Sequence, residues 1–226
     1  MSKEKCVLMF SGGRDSTLAA VKLADLGFEI ILVTVTSPHL VGVWQVIQRL
    51  HELAKVLPLD TVWMPVSQES LPKIDSVLHH QTCLPCQRDY ARIGVSVART
   101  LRISNLALGY TNYQNDWPEQ TDLAISVLDR VLALEQIQLH LPVRHLSSKV
   151  EAMDALLASG LSEKALEQKC MKQVTNIRLD EHALRIQVAL WERSLKESFS
   201  LDAAISLTRT FELGGLPSVD ESSIRG

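Results

Sequence analysis

Two apolar rhythms alternate along the chain. Val7 to Phe10 and Glu29 to Val35 are short, nearly unbroken apolar runs, the pattern of parallel strands buried on both faces. Between them, Leu18, Ala19, Val21, Leu23 and Leu26 recur at helical spacing, so Ser16 to Leu26 reads as a helix that stops at Gly27. The same alternation continues. Gly42 to Leu57 reads as a helix ended by Pro58, Thr61 to Val66 as a third strand, and Arg88 to Arg102 as a helix. Asn105 to Gly109 reads as a fourth strand, Glu119 to Leu134 as a helix, and Leu139 to Val143 as a fifth strand. Ser148 opens another helix with a Ser-x-x-Glu capping box to Glu151, and Gly160 closes it. Gln68 to Gln81 has no clear period, although Pro72 allows a helix start.

Strands alternating with helices predict an α/β fold, a doubly wound five-stranded parallel sheet with helices on both faces. Ligands in such sheets lie beyond the carboxyl ends of the strands. We assign residues 1–171 to this nucleotide-binding domain and residues 172–226 to a small helical C-terminal extension. In the extension, Asp180 to Ser198 and Leu201 to Phe211 read as helices, and the tail from Gly214 reads as loose.

The 226 residues are 46% hydrophobic and 22% charged, enough to bury a full core without staples. A net charge of −3 does not advertise a nucleic-acid binder, though a local basic site stays open. No apolar run approaches the roughly 18–20 residues of a membrane span, and Met1 to Cys6 shows no signal-peptide pattern. A cytoplasmic protein with no membrane partner is expected. Its four cysteines then read as metal ligands, reactive thiols or core residues before disulfides.

The candidate chemistry begins at Ser11-Gly12-Gly13-Arg14-Asp15-Ser16-Thr17, between the first strand and the first helix. Two glycines permit a tight turn and close approach to a ligand. The following helix points free N–H groups and its positive end at that turn. Hydroxyls of Ser11, Ser16 and Thr17 add donors, which makes an anion pocket of pyrophosphate size. The Gly-Lys-Ser/Thr of a Walker loop and the third glycine of a dinucleotide fingerprint are both missing.

Ser-Gly-Gly-Arg-Asp-Ser resembles the Ser-Gly-Gly-x-Asp-Ser signature of the PP-loop ATP pyrophosphatases, within the adenine nucleotide α-hydrolase-like superfamily. The resemblance implies that ATP binds with its phosphates in the loop. A substrate oxygen then attacks the α-phosphate, giving an adenylated substrate and pyrophosphate. It implies phosphate contacts from Ser11, Gly12, Gly13, Asp15 and Ser16, with Thr17 beside them and Arg14 at the variable position. It also implies a border to the adenine near Val35, and Mg²⁺ bridging the phosphates. Asp116 is a candidate Mg²⁺ ligand or a turn residue, and Lys149 a candidate phosphate contact or a surface lysine. Asn112 and Asn115 stand in the same balance. PP-loop relatives are often dimers, so a homodimer is the candidate assembly.

Cys83-Leu84-Pro85-Cys86 precedes the Arg88 helix, and Cys170 lies 84 residues after Cys86. The three thiols read as a metal or cluster site, a sulfur-carrying or redox pair, or incidental cysteines. Their spacing resembles that of the sulfur-inserting PP-loop enzymes that thiolate tRNA. It implies a [4Fe–4S] cluster on Cys83, Cys86 and Cys170, with zinc the other metal; Cys83 and Cys86 are catalytic candidates with Asp15. The partner implied is a nucleotide or nucleoside-type substrate, or tRNA itself. The zinc-binding segments those enzymes use for tRNA are absent here. Leu106 to Tyr113 and the Pro142 to Leu161 segment, with Lys149 and Glu151, resemble 7-cyano-7-deazaguanine synthase, whose clustered C-terminal zinc cysteines this chain lacks. The function expected is adenylation that readies a substrate for sulfur or nitrogen. The alternatives are a deazaguanine-type ligase and a non-catalytic ATP- or AMP-binding regulatory module.

Of the remaining signals, Cys6, Trp63 and Trp191 read as core, and His79-His80 as exposed. At roughly 100° per residue, Arg88, Arg92, Arg99 and Arg102 fall within about 40° of one helical line. This stripe reads as a solvated face in preference to a binding site for a phosphate backbone.

Overall fold

A computed structural model of the chain describes residues 3–68, 82–171, 177–200 and 209–217. Its elements run β1 (Lys5–Met9), α1 (Arg14–Asp25), β2 (Glu29–Thr36), β3 (Leu40–Val41), α2 (Val43–Leu53) and β4 (Val62–Ser67). They continue with α3 (Leu84–Leu101), β5 (Asn105–Ala107), α4 (Asp122–Leu134), β6 (Gln138–His140), α5 (Lys149–Ala158), β7 (Lys169–Cys170), α6 (Glu181–Ser200) and β8 (Phe211–Glu212). The indeterminate segment and His79-His80 fall almost wholly in residues 69–81, outside the described residues.

The strands order as β6-β5-β1-β2-β4-β8, and the first five are mutually parallel. The expected doubly wound α/β fold is therefore observed, with one strand more than expected. β8 pairs antiparallel to β4, Val62 with Glu212 and Trp63 with Phe211. Of the helix expected over Leu201 to Phe211, residues 201–208 lie outside the described residues, and Phe211 itself belongs to this edge strand. The tail is tied down at its start: Leu213 is buried, its N–H donates to the Thr61 carbonyl, and Gly214 N–H donates to Leu59. Phe211 lies against Trp63, ring centres 5.3 Å apart. An edge offers unpaired backbone groups, and Phe211 supplies the apolar contact that fills one here.

Period-two alternation sorts the central strand between two cores. Val7 and Met9 face α3, α4 and α6, whereas Cys6, Leu8 and Phe10 face α1, α2 and α5. Cys6 is fully buried and its thiol is pushed up to about 12 by burial. Trp63 and Trp191 are core, as expected, and Trp63 Nε1 donates to Thr34 Oγ1 at 2.9 Å. Among the described residues, no helix is long and apolar enough to cross a membrane.

The arginine stripe departs from its expected solvated face. Arg88 and Arg92 are buried, because α6 packs Val188, Trp191, Leu195 and Phe199 into the core beside α3. Arg88 pairs with Asp89 and donates to Ser194 Oγ; Arg99 donates to the Phe199 carbonyl and pairs with Glu135. Only Arg99 and Arg102 remain exposed. Helical spacing showed that four arginines share a line, but not that another helix would cover half of it.

β1 leads through α1 to β2 on one side, while β5, reached across α3, lies on the other. The carboxyl end of β1 is therefore the switch point, where such sheets open a crevice.

Candidate active site

The Ser11–Thr17 loop sits at that switch point. Gly12 has φ +80°, and a Cβ there would meet the Leu166 carbonyl at 2.6 Å. Gly13 is the N-cap of α1 in extended conformation, with no side-chain cap. The first N–H groups of α1 therefore keep no partner within the helix and face the crevice mouth with its positive end. Across the gap, Gly109 follows β5, and a Cβ on it would meet Ser16 N at 2.6 Å. Two strand ends can approach the loop this closely only where side chains are missing.

The loop is also knotted by its own hydroxyls. Ser11 Oγ accepts from Gly13 N at 3.2 Å and lies 3.1 Å from Ser16 Oγ, which donates to the Gly13 carbonyl. Thr17 Oγ1 donates to the same carbonyl at 2.6 Å, and Thr17 is fully buried. Beneath the loop, the buried Arg49 of α2 donates to the carbonyls of Gly12, Ser162 and Lys164 and pairs with Glu52. It ties the loop to the strap formed by residues 161–171.

A cavity of about 520 Å³ opens above the loop. Ser11, Gly13, Arg14, Asp15, Ser16, Val35 and Lys149 all line it, so the chain brings together most of the expected ATP-site residues. Gly12 and Thr17 do not line it; they shape the loop from behind. Lys149 is the first residue of α5, whose Ser148 cap accepts from Glu151 N at 3.1 Å. The Glu151 carboxylate accepts from Ser147 N and Oγ, one residue before the cap, and these bonds draw its pKa below the usual carboxylate range. Asp116 lies off the cavity, half exposed and ion-paired to Arg178 at 2.6 Å. Asn112 and Asn115 are exposed turn residues bonded to each other.

Asp15 is the most constrained side chain of the site. Tyr113 Oη donates to Oδ1 at 2.6 Å and Gln114 Nε2 to Oδ2 at 3.1 Å. Burial lifts its pKa above the ordinary carboxylate value. The Tyr113 bond, the Arg14 charge and the Gln114 bond pull it down, and the Glu167 charge adds to the rise. Burial and the bond to Asp15 push the Tyr113 phenol up.

Glu167, Gln168, Gln114, Gln120 and Arg49 also build this site, and sequence reasoning missed them. Glu167 lines the cavity, its carboxylate 3.7 Å from where a Gly13 Cβ would stand. Gln168 Nε2 donates to the Val35 carbonyl at 2.9 Å. One signal was readable: Arg49 lies among Val46, Ile47, Leu50 and Leu53 on the apolar face of α2. A cation placed there needs buried acceptors.

The cysteines border the cavity without lining it. Half-buried Cys83 is the N-cap of α3, Cys86 is exposed in the first turn, and exposed Cys170 is on β7. Gln87 and Tyr90, on α3, line the cavity, as does Leu40, the pairing partner of Cys170. The Cys83 thiol is pushed up to about 12, by burial first and then by the charges of Glu119, Cys86 and Cys170. Among the described residues, no three His, Cys, Asp or Glu side chains come close enough to hold a metal ion. The donors suit a cluster or zinc in kind, but they are not gathered.

No family model matches the chain, and no curated protein matches it. Solved structures do. The chain is similar to a 4-thiouridine synthetase in complex with RNA and bound ATP, at 20% identity and a TM-score of 0.59. That match covers 87% of this chain and 53% of the other, so the chain spans about half its length. It is also similar to the tRNA thiolase NcsA from Methanococcus maripaludis, solved with its [4Fe–4S] cluster, at 14% identity and a TM-score of 0.54. That match covers 87% of this chain and 70% of that one. The chain shares its fold with these two structures, and its Ser-Gly-Gly-Arg-Asp-Ser loop lies at the switch point of the sheet.

Proposed function

We propose that this chain binds ATP with its phosphates in the Ser11–Ser16 loop and adenylates a substrate oxygen. That oxygen attacks the α-phosphorus, the bond to the β-phosphate breaks, and pyrophosphate leaves with its electron pair. A sulfur or nitrogen nucleophile then displaces AMP from the activated carbon. The observation that carries this reading is the loop: unpaired helix N–H groups, Arg14 and Lys149 converge on one cavity beside the locked carboxylate of Asp15. Such a site works by positioning and by neutralising phosphate charge. Mg²⁺ would supply further neutralisation. With Asp116 paired to Arg178, Glu167 is the carboxylate that faces the loop from the strap.

The sulfur reading draws support from three thiols beside the cavity. A [4Fe–4S] cluster or zinc on Cys83, Cys86 and Cys170 would need those thiols drawn together. The acceptor we favour is a nucleoside-type substrate, free or within tRNA. Incubation with ATP, Mg²⁺ and candidate nucleosides or tRNA should release AMP and pyrophosphate in equal amounts. ATP binding without any turnover would instead favour a regulatory module. Anaerobic purification with iron, sulfide and zinc assays tests the metal; a protein free of all three overturns the cluster or zinc site and leaves a thiol carrier or incidental cysteines.

A further inference from the structure

A chain of three hydrogen bonds runs from the main chain after β5 to the phosphate loop. Thr111 N–H donates to Gln120 Oε1 at 3.1 Å, Gln120 Nε2 to Gln114 Oε1 at 2.6 Å, and Gln114 Nε2 to Asp15 Oδ2 at 3.1 Å. An amide side chain can turn over and exchange its donor for its acceptor. A backbone N–H cannot. Because the first link is a backbone donor, Gln120 must present oxygen to it and nitrogen to Gln114. Gln114 must then present oxygen to Gln120 and nitrogen to position 15. The direction of the whole relay is set at Thr111, with Thr111 and Gln120 both buried.

We infer that Gln114 and Gln120 are positioning residues, which act through Asp15 by delivering a donor of fixed direction to Oδ2. Tyr113 meets the other oxygen, so both oxygens of the carboxylate are held and its plane is set toward the loop. The arrangement answers the loss of solvation that burial imposes on the carboxylate. The link to nucleotide binding rests on the reading of the loop as an ATP site.

The relay can be reversed by one isosteric change. Gln120→Glu still accepts from Thr111 N–H, but it presents a second acceptor to Gln114. Gln114 then turns its nitrogen to the new carboxylate and its oxygen to Asp15, so two acceptors face each other. Asp15→Asn removes that conflict, because an Asn Nδ2 can donate to the reversed Gln114 while its oxygen accepts from Tyr113. The test is a double-mutant cycle read by thermal melting, with binding of α,β-methylene-ATP to the two single-variant proteins and the wild type. Gln120→Glu should lower the melting temperature by about 5 °C in the wild-type background and by under about 1 °C beside Asp15→Asn. It should weaken the analogue by about tenfold. If Gln120→Glu does not fold alone, Gln114→Glu, at a half-buried turn, poses the same conflict and should show the same rescue. Equal melting losses in both backgrounds would overturn the relay. Coupled melting with unchanged analogue affinity would overturn the positioning role. A wild-type protein that does not bind the analogue would refute the ATP reading itself, and the positioning role with it.

Discussion

The Ser11–Ser16 loop and the cysteine triplet border one cavity and are held in opposite ways. Around the loop, every approach is fixed from several directions: Arg49 beneath, Gly109 alongside, Leu166 above Gly12, and Tyr113 with Gln114 on Asp15. The thiols come from two distant places, the first turn of α3 and the two-residue strand β7, and two of the three are exposed. A site that stabilises phosphate charge gains from rigidity, because fixed dipoles need no rearrangement when charge develops. Thiols that carry sulfur or receive a metal must be reached, and exposure serves that. On the function proposed above, the two regions would be an activating half and a delivering half of one reaction.

That division can be broken most sharply at Asp15. Asp15→Ala should cut pyrophosphate release by at least about a hundredfold while the fold persists; turnover within a few-fold of wild type would remove Asp15 from the machinery. Arg49→Met should come next, costing about 3 kcal/mol of stability, since it leaves Glu52 and the Gly12, Ser162 and Lys164 carbonyls without their buried donor. Denaturant unfolding measures that loss. Gly109→Ala should cost about 1–3 kcal/mol and weaken ATP, as its methyl meets Ser16 N at 2.6 Å. The cysteines should behave differently. Cys83→Ser, Cys86→Ser or Cys170→Ser should leave ATP binding within about twofold, shown by calorimetry, yet lose transfer of sulfur to the acceptor. Loss of ATP binding in any of these would merge the two halves.

The smallest effect is one of pH. Burial raises the Asp15 pKa above that of the unfolded chain, so the folded state holds the proton more tightly. The stability this adds is complete below the unfolded carboxylate value and is lost as pH rises through the folded one. Asp15→Asn loses its acceptor for Gln114, so its absolute melting temperature mixes two effects, but its decline across that acidic window should be shallower than that of the wild type. An Asn variant whose melting temperature falls as steeply as the wild type's across that window would contradict the sign.

Most of the α/β framework was readable, and so was the heart of the loop. Continuous apolar runs marked β1 and β2 because a doubly covered strand needs apolar residues on both sides, and Gly12-Gly13 marked the turn between β1 and α1. Elsewhere the signals were too short or shared. β8 has two residues and no period to detect, and it forms because Phe211 finds Trp63. Asp116 and Asn115 had the composition of ligands and of turns alike; the ion pair with Arg178 draws Asp116 away from the cavity.

The sequence by itself determined the α/β class, the place of the Ser-Gly-Gly-Arg-Asp-Ser turn between β1 and α1, and the presence of the three thiols. All three are properties of local pattern, where each residue's role depends on near neighbours. The tertiary structure decided what surrounds the loop: Glu167 against Gly13, Arg49 beneath it, the glutamine relay to Asp15, α6 over Arg88 and Arg92, and the pairing of the Cys170 strand with Leu40 of the cavity wall. Those contacts join segments far apart in the chain. Their partners are chosen by packing and by the cost of leaving a buried polar group unmet, and no local rhythm records either.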